Sequence, residues 1–452
     1  MSADNNCIFF SGIKSYPGRE FLLAFPQNYI NNNENVEIVF TCVSTTDIQV
    51  NLTFHAPDSF AQPATTTFSL APDERYVISL SAGIRMPTGS VIDTRCVEVI
   101  STGDITVVVF SRQGSNGDAY MALPISLLGQ VYVSANYDNR VSGSASFIVI
   151  TAPFNDSKIS IRVPDFKNIV SFMFDDRLYS SEETIVVTLS AYQVLQLQVK
   201  DDLTGTHIVS DKPISVLSGV NRTSVYQETC RSHVMDSLPP VRRLGYQYVT
   251  ITEPKYREPT IYRIVATEVA TRVEMGTNII ILNNTGDFYE SIIEPNNFYF
   301  IQSSKPVLVA QLSTSNYNNT YRSGDPSMVI LTPLQAARDS YTFSVVNYSG
   351  YKVYVTIVIN SSDVSGLRLN NQTITTTWTA VTGKQNLVVG EVLITTSLAV
   401  SQKVSNGNGG KFLAYIQGVT TCEGYSFGLT FQETTNTPVI IKVFKLAEEI
   451  VS

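Results

Sequence analysis

The sequence predicts an all-β protein built as four tandem β-sandwich, immunoglobulin-like units packed end to end. Three observations carry that prediction. The first is an internal repeat: Ser210-Asp211-Lys212-Pro213-Ile214-Ser215-Val216 recurs as Ser303-Ser304-Lys305-Pro306-Val307-Leu308-Val309, each followed by a polar loop, a Met, Leu-Pro or Thr-Pro, and a new aromatic strand. The second is strict alternation of apolar and polar residues, as in Ile48-Gln-Val-Asn-Leu-Thr-Phe54. Successive strand side chains face opposite sides, so such a run has one core face and one wet face. The third is a period of about 100 residues. That is too long for a solenoid or one propeller blade, and it gives room for the six or seven short strands of one sandwich. The same repeat also permits an alternative in which the units close into one ring-like or propeller-like body.

The elements follow in order. After an N-terminal tail (1–17), the first unit (18–128) opens with a strand at 18–24 and continues through 36–42, 48–54 and 76–80 to a closing strand at 107–112. The second (129–244) runs through 129–135, 147–150, 159–163, 192–199 and 213–219. The third (245–338) runs through 245–251, 261–265, 271–275, 298–301 and 306–313. The fourth (339–430) shows 339–345, 353–359 and 412–418, before a C-terminal strand or tail (431–452). Val, Ile, Tyr and Thr dominate these runs, as a pleated half-buried surface favours. No segment sustains a helical period, and 334–338 is read as one helical turn in a linker.

Composition bounds the function. The net charge of −8 and the absence of any Lys/Arg cluster beyond Arg242-Arg243 argue against nucleic acid, whose phosphates need clustered cations. No apolar run approaches the ~20 residues that span a bilayer. Met1 to Cys7 is polar and shows no secretory signal. Low charge, abundant Thr and Ser, and tandem sandwiches favour an extracellular chain met as a mature fragment.

The five cysteines match no zinc spacing. Cys42 and Cys96 lie on strands that face each other in an immunoglobulin-like core, so they form a disulfide or stay as two buried thiols. Cys230 and Cys422 occupy equivalent loops and pair with each other or with Cys7. One thiol is left over, available for a disulfide-linked partner. Eight Asn-x-Ser/Thr sequons occur, at Asn51, Asn155, Asn221, Asn283, Asn318, Asn347, Asn360 and Asn371; they are glycosylation candidates, since none lies in an obviously buried run. His55 and His207 read as structural. His233 lies near Cys230 and Asp236, but three residues on one loop rarely converge as nucleophile, base and orienter. There is no nucleophile elbow, phosphate loop or dinucleotide fingerprint. Asp175-Asp176 and Asp201-Asp202 read as turn residues. The chain is therefore read as non-enzymatic, without a cofactor.

The loops after the closing strands repeat as well. Gly114 to Pro124, Glu228 to Pro239 and Ser323 to Pro333 each run polar, acidic, Met, apolar, Pro; Thr420 to Gly428 keeps only the acid and the aromatic. Rigidly held loops commonly carry binding, so one reading has Asp118, Tyr120, Met121, Met235, Tyr321, Asp325 and Met328 lining partner-binding surfaces. In the other, the Met-to-Pro segments plug the junctions between sandwiches. One acid per loop is too few for calcium, which takes six to eight oxygens, and no metal is expected.

Together these motifs resemble one family. They are Gly18-Arg-Glu-Phe-Leu-Leu-Ala-Phe-Pro-Gln-Asn28, Asp118-Ala-Tyr-Met-Ala-Leu-Pro124, Asp202-Leu-Thr-Gly-Thr206 leading to Lys212-Pro213 and Ser218-Gly219, and Leu238-Pro-Pro240 before Gly245. Their order resembles the N-terminal domain of the IgGFc-binding protein family over roughly residues 16–430. The resemblance implies a secreted, mucus-associated or surface protein whose head engages other glycoproteins, such as immunoglobulin Fc or mucin-like chains, or else an adhesive mucus-matrix component without a discrete ligand. Family members commonly continue into cysteine-rich modules, and this chain carries none.

Overall fold

The computed structural model describes residues 16–430 apart from 30–33, 56–62, 139–140, 165–170, 227–229, 254–258, 316–324, 347 and 349. The described residues form antiparallel β sheets joined by short 3-10 turns. The all-β sandwich-like expectation holds.

The two seven-stranded sheets and the eight-stranded one are each organised around one long strand. In the first it is Cys96–Gln113. Its early half pairs with Gly18–Ala24 and Ile48–Phe54, and its late half with Val36–Cys42 and Asn116–Met121. The closing strand expected at 107–112 is thus only the late half of this spine. The spine changes partners at a register shift: Gly18 faces Ile105, but Glu20 faces Ile100. His207–Thr223 and Phe300–Ser313 repeat the arrangement, with shifts between Val209 and Ile214 and between Gln302 and Val307. Lys212-Pro213 and Lys305-Pro306 sit at those corners. Proline has no N–H for a ladder and is confined within sheets to edges and bulges, so the repeated motif marks where the spine turns. In the fourth group Gly407-Asn408-Gly409-Gly410 breaks the spine into Gln402–Asn406 and Phe412–Thr420, and the strands fall into two separate sheets.

The opening Gly-x-x-Tyr is explained by two contacts. A Cβ on Gly18, Gly129 or Gly245 would lie 2.3–2.4 Å from the Cβ of Pro124, Pro240 or Pro333, so only glycine lets each Met-to-Pro segment end on its own opening strand. Three residues on, the Tyr132 hydroxyl accepts from the Gly129 N–H and donates to the Ile214 carbonyl. Tyr248 does the same between Gly245 and Val307, and Tyr341 between Arg338 and Phe412. In the first group Phe21 holds this position and forms an isolated bridge to Pro124. Short 3-10 turns follow each proline, at Ile125–Leu127, Val241–Arg243 and Leu334–Ala336, the last where one helical turn was expected.

We propose boundaries near 128, 244 and 338 at these turns. One strand crosses them: Val91–Asp93 joins the edge of Val194–Val199. The apolar cores cross too. Phe110 and Val99 share a cluster with Val355 and Tyr425, and also with Phe147 and Met235. Ile330 and Leu308 pack with Ile208, and Val309 with Val358 and Leu413. Neighbouring groups therefore share hydrophobic contacts, and the fourth returns to the first.

The joint between the second and third groups also carries an ionic site. Arg263 is fully buried; its Nη1 donates to Asp202 Oδ2 (2.6 Å), Thr204 Oγ1 (2.6 Å) and the Asn136 carbonyl (2.7 Å), and its Nε to Glu290 (2.9 Å). The guanidinium lies 4.7 Å from the ring centre of Tyr137 and 4.8 Å from that of Phe288, a geometry that suits its weakly hydrated faces. Burial opposes ionisation of Asp202, but Arg263 and Thr204 hold its carboxyl below the usual range. Arg263→Ala would leave that carboxylate buried without its cation, so a loss of about 3–5 kcal/mol is expected by urea unfolding at neutral pH. The Asp202 contribution is present above its unfolded pKa and lost as pH falls through the depressed folded value. The deficit of the variant should therefore shrink toward pH 2; an unchanged deficit there would refute the ionic account.

Candidate functional site

Four strands meet in the interior: Asn116–Met121, Ser232–Ser237, Met328–Ile330 and Glu423–Gly428. Each packs beside two of the others. Every residue of the first three is buried. At their meeting point lies the Asp118 carboxylate. Oδ1 accepts from the N–H groups of Ala119 (2.9 Å) and Ser426 (3.2 Å), and Oδ2 from those of Met235 (3.0 Å) and Met328 (2.9 Å). The donors are register equivalents. Ser237, Ile330 and Gly428 pair with matching positions of their spines, Leu217, Ala310 and Tyr415, and the donating amide is two residues before each. Three groups thus present the same backbone N–H to one carboxylate, and a fourth comes from the neighbour of Asp118. Two carboxylate oxygens offer about four acceptor sites, and all are filled.

Other acids surround this point. Asp236, on the adjacent strand Ser232–Ser237, accepts from Ser237 (2.7 Å) and Ile330 (2.7 Å). Asp325 is fully buried, and neither of its carboxylate oxygens has a hydrogen-bond partner among the described residues. Burial pushes the carboxyls of Asp118, Asp236 and Asp325 well above the usual range; for Asp118 and Asp236 the backbone amides pull the other way. Glu253 is pushed up to about 8 by burial, with Glu391 adding to the rise and Ser313 opposing it. At the rim Glu423 pairs with Arg112 (2.9 Å) and accepts from Tyr351, tying the fourth group to the first. Among the described residues, no group of three or more His, Cys, Asp or Glu is placed to hold a metal ion.

This geometry corrects the partner-binding expectation for six residues. Asp118, Tyr120, Met121, Met235, Asp325 and Met328 are buried, so none lines an exposed surface. Their apolar parts fill the contacts between groups and Asp118 is saturated by neighbouring amides; the Met-to-Pro segments are plugs. Tyr321 lies outside the described residues.

The cysteines separate similarly. Cys230 and Cys422 form a disulfide across 192 residues, linking the second and fourth groups. Cys42 and Cys96 are free and buried, contrary to the expected bridge. Cys42 faces Ile105 of the spine that Cys96 begins. Nine residues along one extended strand is roughly 30 Å, far beyond disulfide reach. Cys7 lies outside the described residues. The Cys230-His233-Asp236 constellation is dismantled as well: Cys230 is bonded, and Asp236 serves backbone amides. The His233 ring is fully buried and pushed down to about 3 by burial and by Arg85, so it stays neutral. His55 stacks on Tyr192 at 3.8 Å. Asp175 and Asp176 both take positive φ at a hairpin tip, the turn role expected.

Of the sequons, Asn51, Asn155, Asn283 and Asn371 are exposed and Asn360 is half-buried. Asn221 is buried; its Nδ2 donates to Gln27 and its Oδ1 accepts from Ser144 and Ala145. That removes Asn221 as an acceptor in the folded chain. Asn318 and Asn347 lie outside the described residues. Sequence reasoning missed Arg263, Asp236 and Glu253; the Asp202-Leu-Thr-Gly-Thr206 motif marked half of the Arg263 site without naming its partner.

A family model described as IgGFc binding protein matches residues 118–418, from the hub carboxylate to the last spine. The chain belongs to this family. It is 24% identical over 382 residues to the human (Homo sapiens) IgGFc-binding protein, covering 82% of this chain and 7% of the human one. No helix among the described residues is long and apolar enough to cross a membrane.

Two outcomes are expected. Asp118→Ala strands four buried amides at once, and a loss of about 3–5 kcal/mol in denaturant unfolding follows; a loss below about 1 kcal/mol would show that the hub holds little together. For Glu253, a folded pKa raised from 4.5 to about 8 gives stability that is full below the unfolded value and lost as pH rises through about 8. The melting temperature should fall between pH 6 and pH 9, and Glu253→Gln should flatten that fall.

Proposed function

We propose that this chain is a non-enzymatic recognition head of an extracellular protein, engaging glycoproteins, with immunoglobulin Fc the first ligand to test. The match to the IgGFc-binding family over residues 118–418 carries this reading, together with the Fc ligand in the printed name of the human relative. Two observations support it. The Cys230–Cys422 disulfide suits an oxidising, extracellular compartment. The one Cys-His-Asp constellation in the sequence has been turned to structure.

Buried Cys42 and Cys96 are poor hooks for a disulfide-linked partner, which leaves Cys7 for that role. The inward placement of the Met-bearing loops moves recognition to the outer strands and turns.

The test is saturable binding of the folded, secreted chain to purified Fc on a sensor, with the heat-unfolded chain as control. Saturation by the folded form alone is expected. No response at micromolar Fc would strip the namesake activity and move the weight to an adhesive, matrix-forming role without a discrete ligand.

A further inference from the structure

We propose that Asn51, Asn155, Asn283 and Asn371 are N-glycosylated, and that their glycans cover one uncharged edge strand in each of the four sheet groups; the proposal rests on the extracellular reading.

Each group has an outermost strand without Lys, Arg, Asp, Glu or Pro: Thr65–Leu70, Thr184–Leu189, Asn278–Leu282 and Gln372–Thr373. The opposite ends of the seven- and eight-stranded sheets, Arg75–Leu80, Val91–Asp93 and Phe288–Ile293, carry Arg75, Asp93 and Glu290. Uncharged edges present unpaired N–H and C=O groups, and proteins ordinarily blunt them with charge, proline or cover. Here the apolar side chains face out as well: Val186 is 65% exposed, Ile279 62% and Ile281 52%. Strands of this kind pair with other chains unless something prevents it.

One exposed sequon lies beside each edge. Asn51 faces Thr67 across the ladder and accepts its hydroxyl. The Asn155 side chain accepts from Ala191, two residues past the second edge. Asn283 directly follows Asn278–Leu282. Asn371, with φ of 65°, directly precedes Gln372 at a hairpin tip. All four are exposed, whereas Asn221, on the central strand His207–Thr223, is buried. A glycan is large, hydrated and unable to pair with a strand, so it supplies the cover that the side chains lack.

In the modification, Asn Nδ2 bonds to the sugar C1 of a lipid-diphosphate-linked oligosaccharide. The bond from C1 to the diphosphate oxygen breaks, the lipid diphosphate leaves with that electron pair, and Nδ2 loses one proton.

The experiment expresses the full chain through a eukaryotic secretory pathway and maps occupancy by mass spectrometry of enzymatically deglycosylated peptides. Occupancy at Asn51, Asn155, Asn283 and Asn371, with Asn221 unmodified in the secreted monomer, is expected. Unmodified Asn283 and Asn371 would overturn the assignment. The four-site Asn→Gln variant should keep its circular dichroism but lose most of its monomer to assembly in size-exclusion chromatography, and adding Ile279→Lys and Ile281→Lys should restore monomer. A four-site variant that stays monomeric would overturn the covering role. If that variant instead fails to fold, the wild-type chain, trimmed after folding by an endoglycosidase that leaves one sugar on each Asn and adds no charge, gives the same readout. Fc binding is scored separately: an occupied chain that binds no Fc sinks only the ligand reading, and an unoccupied chain that binds Fc sinks only this one.

Discussion

The structure depends on one carboxylate. Asp118 is buried where four strands converge, and its two oxygens take amide hydrogens from the second, third and fourth sheet groups as well as from its own neighbour. Burying a carboxylate is unfavourable unless its hydrogen-bonding capacity is met, and no single group can meet it here. The acid is tolerable only when all the groups are in place, which makes it a specificity device as much as a source of stability. Asp236 extends the same logic to one further amide of the third group.

Around that point the contacts are redundant in kind. Shared apolar clusters join neighbouring groups. The Arg263 site joins the second to the third, the Arg112–Glu423 pair joins the fourth to the first, and the disulfide joins the second to the fourth. Methionine suits the plug role, since its flexible thioether fills irregular gaps between sandwiches. The polar and acidic residues that looked like a binding loop are what burial between backbones requires.

With the loops turned inward, the exterior is strand faces, hairpin tips and edges. One edge strand of each group lacks charge, which in a naked chain would favour association. A partner and a glycan would compete for this same exterior, so the placement of sequons beside edges also constrains where recognition can occur.

The sequence by itself determined the all-β class, the repeated Lys-Pro strand motif and most of the strands, because alternation and proline act on the local backbone. It showed that Cys230 and Cys422 were equivalent and free to pair. It misread Cys42 and Cys96 because the closing strand seemed separate from the one before it. The structure makes them one spine, and that single continuity carries the two thiols apart. Tertiary structure alone decided which face of the Asp118, Met235 and Met328 segments looks inward. A polar-acidic-Met run has the same local pattern whether it meets solvent or three other strands; only the convergence of distant backbones shows that the donors for Asp118 exist. The same holds for Asn221, a sequon by sequence and a buried hydrogen-bonding residue by its contacts with Gln27 and Ser144.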